Sequence, residues 1–273
     1  MLETRPVEAL GAANRVHMLA EMMRRAYADR ARYLGDSDHV EVPQQRLLSR
    51  SHAYAQAREI DPRQATPSLP RQVPRAAGED TTHFSILDRE GNRVAATLSI
   101  NYPFGAAFVV PGTGVLLNDE MDDFSAKPGV ANVYGLVGST ANAIASRKRM
   151  LSSMSPTFVE SPDRVTILGT PGGSRIISMV LLAVLDTIAG HAPADIVARG
   201  RFHHQWLPDR IEVEPDALEE RVVARLRDMG HEVKVRASRY GNMQVVQWRG
   251  FGGGVSAASD PRGIGASAVV SAE

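Results

Sequence analysis

The sequence predicts an α+β fold with largely antiparallel sheets and helices outside them, on three observations. Apolar residues recur at helical spacing near the N-terminus. Alternating runs bounded by turn signals follow from about residue 80. Strands then alternate with helices but include hairpins, which favours antiparallel pairing. In order, residues 13–33 place Val16, Leu19, Ala20, Met23 and Tyr27 on one helical face, with Arg and Glu opposite, and Gly35-Asp36 ends that helix. A second short helix is expected over 44–58. Residues 60–78 hold Pro62, Pro67, Pro70 and Pro74 and read as an extended surface linker. Strands 82–87 and 94–100 flank the hairpin signal Asp88-Arg89-Glu90-Gly91-Asn92. Further strands are expected at 108–110, 157–159, 165–168, 232–235 and 243–248, and helices at 174–189, 194–199 and 217–229. Gly250-Phe251-Gly252-Gly253-Gly254 reads as a turn before a last strand, and Glu219-Glu220-Arg221 as a solvated helix face.

At 273 residues the chain has room for one large domain or two small ones. Its 43% hydrophobic content suits a soluble globular protein. Basic and acidic residues number 31 each, so the formal net charge is zero. Nothing in that balance selects nucleic acid or an anionic membrane as the main partner. The basic residues are nearly all Arg; Lys127, Lys148 and Lys234 are the only lysines. With no cysteine, disulfides and thiol catalysis are excluded and the redox compartment stays open. Residues 1–6 lack the basic start and apolar core of a signal peptide. The longest apolar run, Ile176–Ile188, contains Ser178, Asp186 and Thr187 and is too short to span a bilayer.

Thr81 opens the first alternating strand directly after the proline-rich run. A Thr hydroxyl is a poor nucleophile without a base beside it. Cutting the chain between Asp80 and Thr81 creates that base, because the freed α-amine lies within reach of its own hydroxyl. Such an amine titrates near roughly 7.7–8.0, against about 10.4 for Lys, so about a tenth of it is neutral at pH 7. Thr81-Thr82 alone remains an ordinary β-branched strand start. The order of further motifs changes that weight: Thr81-Thr82-His83-Phe84-Ser85; the stretch 116–129 with Asn118, Glu120, Asp122 and Asp123; Leu151-Ser152-Ser153-Met154-Ser155-Pro156-Thr157; Pro171-Gly172-Gly173-Ser174-Arg175; and Arg201-Phe202-His203-His204-Gln205-Trp206-Leu207-Pro208. Together they resemble the γ-glutamyltransferase (glutathione hydrolase) family of N-terminal-nucleophile hydrolases, from about Arg15 to the C-terminus.

The resemblance implies a four-layer αββα sandwich, here partial. It implies that residues 1–80 are the C-terminal remnant of a large subunit and 81–273 the small, catalytic one. Thr81 is then the nucleophile, first on the Asp80 carbonyl and then on the γ-glutamyl amide of glutathione or a similar substrate. The acyl group passes to water, an amino acid or a dipeptide. Ser99 stands where relatives usually carry Thr; it keeps the oxygen but loses the methyl group that restricts the rotamer. Gly172-Gly173, between a strand and an apolar helix, suits an oxyanion hole, since helix N-termini carry unpaired N–H groups and glycine permits close approach. Asn101, Glu120 and Asp123 are implied to hold the substrate α-amine, a cation that charge-assisted acceptors suit. Ser152 and Ser153 are implied to bind its α-carboxylate. Residues 128–139 match the lid loop, with Tyr134 as the aromatic gate and Gly129, Gly135 and Gly138 as points of movement.

No cofactor and no metal are expected. His203 and His204 invite a metal, but adjacent side chains diverge on strand or helix and rarely share an ion. The resemblance also implies that most of the large subunit lies outside this chain, with an Arg that clamps the substrate α-carboxylate in relatives. No residue before Thr81 matches that Arg, and losing one partner of a buried charge pair costs about 2–5 kcal/mol. Apolar sheet faces are expected to be exposed as a result. Expected partners are therefore the self-cleaved halves of the chain as a heterodimer and a separate upstream large-subunit chain. Bacterial relatives are commonly periplasmic or secreted; the compartment of this chain is open. Two other readings stand beside this one: an acylase-like relative taking glutaryl or cephalosporin side chains, and an inactive fragment retained for assembly with a partner.

Overall fold

The computed structural model describes residues 1–68, 80–250 and 252–270, with the backbone alone at Asp80. In chain order its regular elements are α1 (Ala12–Tyr33), α2 (Gln44–Leu47), α3 (Arg50–Arg58), β1 (Asp80–Leu87), β2 (Arg93–Asn101), β3 (Thr157–Ser161), β4 (Arg164–Gly169), α4 (Ile176–Ile188), α5 (Pro193–Ala198), β5 (Phe202–His203), β6 (Ile211–Val213), α6 (Glu220–Asp228), β7 (Val233–Val235), β8 (Gln244–Arg249) and β9 (Gly254–Ser259). Two compact units share them. Residues 1–77, 120–152 and 202–237 form the first, and residues 78–119, 153–201 and 238–273 the second. Most of the expected linker, with Pro70 and Pro74, lies outside the described residues.

In the first unit α1 buries Val16, Leu19, Ala20, Met23 and Tyr27, the stripe its spacing predicts. Its polar side is not simply solvated. Glu21, Arg24 and Arg25 are buried too, because they satisfy one another. Glu21 accepts from Arg24 Nε (3.1 Å), Arg25 Nη1 (2.6 Å) and the Thr66 backbone N–H (3.1 Å), and Arg24 also reaches Ser68 and Asp209. The single helix expected over 44–58 is two. Ser49 divides them, its hydroxyl accepting from the His52 N–H (3.1 Å) as the cap of α3. Strand β6 pairs antiparallel with β5 and parallel with β7, and the crossover helix α6 packs against α1.

In the second unit β3, β4, β8 and β9 form an antiparallel sheet in the order β3-β4-β8-β9. One face is covered by α4 and α5 around Leu168, Ile176, Met179, Ile196, Met243 and Val245. The β1–β2 hairpin lies against β4 and β8, where His83 meets Gly169. Gly169 points opposite to Leu168, so the hairpin covers the face away from the helices. Three layers result: helices, a four-stranded sheet, a two-stranded sheet. The outer face of the hairpin carries Phe84, Ile86, Val94 and Leu98, each 43–53% exposed. This is the apolar exposure expected above. The strand expected at 108–110 does not form; Val109 makes an isolated bridge to Leu116. Ala107, Gly112 and Gly114 bend the flanking backbone into the left-handed region and leave no length for a strand.

Candidate active site

Strand β1 begins with a slip in pairing. Thr81 sits opposite Ser99 but Asp80 opposite Asn101, which leaves Ile100 as the extra residue of a bulge. The peptide bond between Asp80 and Thr81 therefore stands where the ladder is broken. The Thr81 hydroxyl donates to Ser99 Oγ over 3.0 Å, and the same oxygen accepts the Asn101 N–H at 2.9 Å. Asn101 takes a φ of +70°, a sparsely populated conformation for a residue with a side chain, and is buried. Its amide Nδ2 donates to the Asp119 carbonyl (3.3 Å), and Asp119 Oδ1 accepts from the Tyr102 N–H (3.0 Å). Thr81, Ser99 and Asn101 are thus brought together, and Asn101 is bonded to the residue preceding Glu120.

Strand β4 ends at Gly169 and runs through Thr170-Pro171 into Gly172-Gly173. Gly172 has φ +142° and Gly173 φ +55°, conformations that favour glycine. A Cβ on Gly172 would stand 2.4 Å from the Met179 methyl. The Arg175 N–H bonds the Gly172 carbonyl (3.1 Å), closing a 3-10 turn at Gly173–Arg175 that opens α4. Ser153 belongs to this second unit, and its carbonyl accepts from Ser155 Oγ (3.0 Å); Ser152, exposed, is the last residue of the preceding first-unit segment.

Glu120, Asp123 and Tyr134 belong to the first unit. Glu120–Asp123 is a 3-10 turn. Burial, reinforced by the charge of Glu120 and offset in part by Arg30, pushes the Asp123 carboxyl up to about 7. Three residues to which the sequence assigns no role hold this region. Asn142 Nδ2 donates to the Asp123 carbonyl (2.7 Å). Asn132 Oδ1 accepts from the N–H groups of Tyr134 (3.1 Å) and Leu136 (3.0 Å), and Gln205 Nε2 donates to the Tyr134 carbonyl (3.0 Å). Asn132 before Gly135 is a turn signal and Gln205 lies in the 201–208 motif, whereas Asn142 carries no local signal. In the 128–139 loop Gly129 N–H bonds the Gly138 carbonyl (2.9 Å), and a Cβ on Gly138 would fall 1.9 Å from Ser125 Oγ.

His203 and His204 have separate partners: His203 Nε2 meets Gln205 Oε1 (2.8 Å), and His204 Nδ1 accepts the Trp206 N–H (3.1 Å). Among the described residues, the metal-ligand types that converge are His17, Glu21 and His231. His17 Nε2 must donate to the Asp61 carbonyl (2.8 Å), and its Nδ1 is hydrogen-bonded to His231 Nε2 (2.7 Å). With two guanidiniums already on Glu21, the trio is arranged as a hydrogen-bonded network rather than a cation site.

Residues 2–270 match the family model described as Gamma-glutamyltranspeptidase. The chain belongs to that family. It is 44% identical over 265 residues to a glutathione hydrolase proenzyme of Pseudomonas aeruginosa, covering 96% of this chain and 47% of that protein. With the glutathione hydrolase proenzyme of Escherichia coli the identity is 43% over 263 residues, 93% of this chain and 44% of that one. The chain thus spans about half the length of the curated relatives it matches. A solved γ-glutamyltranspeptidase of Pseudomonas nitroreducens superposes with TM-score 0.64 at 47% identity, covering 70% of this chain and all of that one. A cephalosporin acylase of Bacillus halodurans superposes with TM-score 0.73 over 94% of this chain and 46% of that one; at 21% identity it speaks for the fold alone. The fold is α+β of the N-terminal-nucleophile hydrolase type, and the second unit displays one helical layer and two sheets of the αββα sandwich. Among the described residues no helix is long and apolar enough to cross a membrane.

Proposed function

We propose that this chain is the nucleophile-bearing part of a self-cleaving γ-glutamyl hydrolase and transferase. The observation that carries the reading is the Thr81–Ser99 hydroxyl pair at 3.0 Å, set at a bulge beside the Asp80–Thr81 bond. In the precursor, Thr81 Oγ1 attacks the Asp80 carbonyl; the amide nitrogen leaves with a proton as the Thr81 α-amine, and water hydrolyses the resulting ester. In the mature form that amine takes the hydroxyl proton, and Oγ1 attacks the γ-carbonyl of glutathione or another γ-glutamyl amide. The Gly172-Gly173 turn supplies N–H donors to the developing oxyanion. The leaving amine carries off a proton, and water, an amino acid or a dipeptide then takes the acyl group.

Asn101, Glu120 and Asp123 are assigned to the substrate α-amine, Ser152 and Ser153 to its α-carboxylate, and Tyr134 to the lid. Support for cleavage comes from the proenzyme names of the relatives. The solved relative is also covered in full by 70% of this chain, close to the share of residues 81–273. The mature form is then a heterodimer of residues 1–80 and 81–273. The exposed apolar face of β1–β2 supports assembly with a separate chain supplying the rest of the family's length.

The test is turnover of two anilides that differ only in the α-amino group. The mature protein is expected to release aniline from the γ-glutamyl compound, to leave the glutaryl compound nearly untouched, and to lose the reaction in Thr81→Ala. Preference for the glutaryl compound would replace this reading with the acylase one. Neither compound turning over, even with the complementary chain present, would leave an assembly role.

A further inference from the structure

The proposed chemistry leaves His83 unused, although it shares the β1 face of Thr81 and Ser85. Its ring is 6% exposed. Nδ1 lies 2.8 Å from Thr97 Oγ1, and Nε2 3.0 Å from Ser85 Oγ. Burial lowers its pKa to about 4, so the ring is neutral at pH 7. A neutral imidazole offers one donor and one acceptor, and two hydroxyls can meet both whichever tautomer forms. The ring is locked at both nitrogens.

The same ring rests on β4. A Cβ on Gly169 would stand 2.3 Å from His83 Cε1 and 2.4 Å from Nδ1, so only glycine lets the strand come this close. Gly169 is the last residue of β4, three residues before Gly172. The intervening chain is itself held: Thr170 Oγ1 donates to the Pro171 carbonyl (2.8 Å) and accepts from the Asn242 N–H (3.1 Å). A continuous path of fixed contacts therefore joins β1 to the Gly172-Gly173 turn.

We infer that His83 is a positioning residue, a spacer that fixes Thr81 on β1 against the Gly172-Gly173 turn that follows β4. The inference deepens the proposed function and rests on its assignment of Thr81 as nucleophile and Gly172-Gly173 as oxyanion donors. Its hydrogen bonds set the plane of the ring, and its contact with Gly169 sets the gap between strand and turn. A shift of about 1 Å between reacting groups can cost about a hundredfold in rate, so a change in that gap should appear in the chemistry before it appears in the fold.

The experiment follows scission between Asp80 and Thr81 by intact mass over time in the full chain, with thermal melting measured alongside. The proteins are wild type, His83→Gln, His83→Leu, Gly169→Ala and a Thr81→Ala control. His83→Leu and Gly169→Ala are expected to slow scission about a hundredfold with melting within a few degrees of wild type. His83→Gln, which keeps a donor and an acceptor, is expected to restore most of the rate. If His83→Leu does not fold, Gly169→Ala and His83→Gln carry the decision. Scission of His83→Leu or Gly169→Ala at the wild-type rate, with Thr81→Ala uncut, overturns the spacer role and leaves the nucleophile standing. Equal slowing in the Leu and Gln variants, matched by equal loss of melting temperature, also overturns it. A wild-type chain never cut at Thr81 fails the nucleophile assignment and the spacer with it.

Discussion

Helix α1 and the β1–β2 hairpin both carry a clean period, and they cover their faces in opposite ways. On α1 the apolar stripe is buried, and the charged side is buried with it, through Glu21, Arg24 and Arg25. On the hairpin the face turned to β4 is polar, with Thr81, His83, Ser85, Thr97 and Ser99, while Phe84, Ile86, Val94 and Leu98 face outward. Period tells which side chains share a face; it does not tell what lies against that face. A charged face can be covered when its charges pair, and an apolar face can stand open to solvent within this chain.

The largest expected effect is on α1. Glu21→Ala leaves the buried Arg25 without its carboxylate and Arg24 with Asp209 alone, and should cost about 3–5 kcal/mol in urea unfolding. A loss under about 1 kcal/mol would mean that both arginines reach solvent freely, and the contrast with the hairpin would shrink. Acid should act on the same region. Burial, with the His17 ring beside it, lowers the His231 pKa from its ordinary 6.5 to about 3, and His204 is lowered for the same first reason. The unfolded chain binds protons there below pH 6.5 and the folded one does not, so stability is full above 6.5 and is lost as pH falls toward 3. Between pH 7 and 5, His231 alone should account for about 2 kcal/mol. Melting curves across that range check this, and His231→Gln should flatten the slope.

A smaller effect concerns the acidic turn. With Asp123 titrating near 7, its charge and the affinity for an ammonium group should fade below neutrality. KM for a γ-glutamyl substrate should then rise by up to about tenfold per pH unit, and Asp123→Asn should remove the dependence. Smallest is the outer face of the hairpin. Phe84→Thr and Leu98→Thr should change stability by less than about 0.5 kcal/mol, because those side chains are already exposed, while reducing self-association in light scattering. A loss of several kcal/mol would show the face to be covered within this chain.

Much of the architecture was legible. The hairpin, the sheet around β4 and β8, and helices α1, α4 and α6 follow from period and turn residues, with edges displaced by a few positions. What escaped was set by tertiary partners. Nothing local distinguishes Ser49 as a cap from Ser51 in the helix. The run at 108–110 has strand composition but glycines and Ala107 in turn conformations on either side. Thr81, Glu120, Asp123 and the glycine pair stood out as candidates through motif order, not composition; Ser99 and Asn101 came only with the family resemblance, and the fold brings these two to Thr81. Asn132 closes a local turn through the Tyr134 and Leu136 N–H groups, whereas Asn142 and Gln205 bond backbone groups distant in sequence and His83 acts by the close approach of Gly169, neither of which leaves a pattern along the chain.

The central claim is that Thr81 is made a nucleophile by cutting the chain before it. The most direct measurement is N-terminal sequencing with intact mass of the purified chain, beside Thr81→Ala, with and without the complementary large-subunit chain. A new N-terminus at Thr81, absent from the variant, is the predicted result. A wild-type chain that stays whole under both conditions, or is cut at a position other than 80–81 in both proteins, would contradict the account.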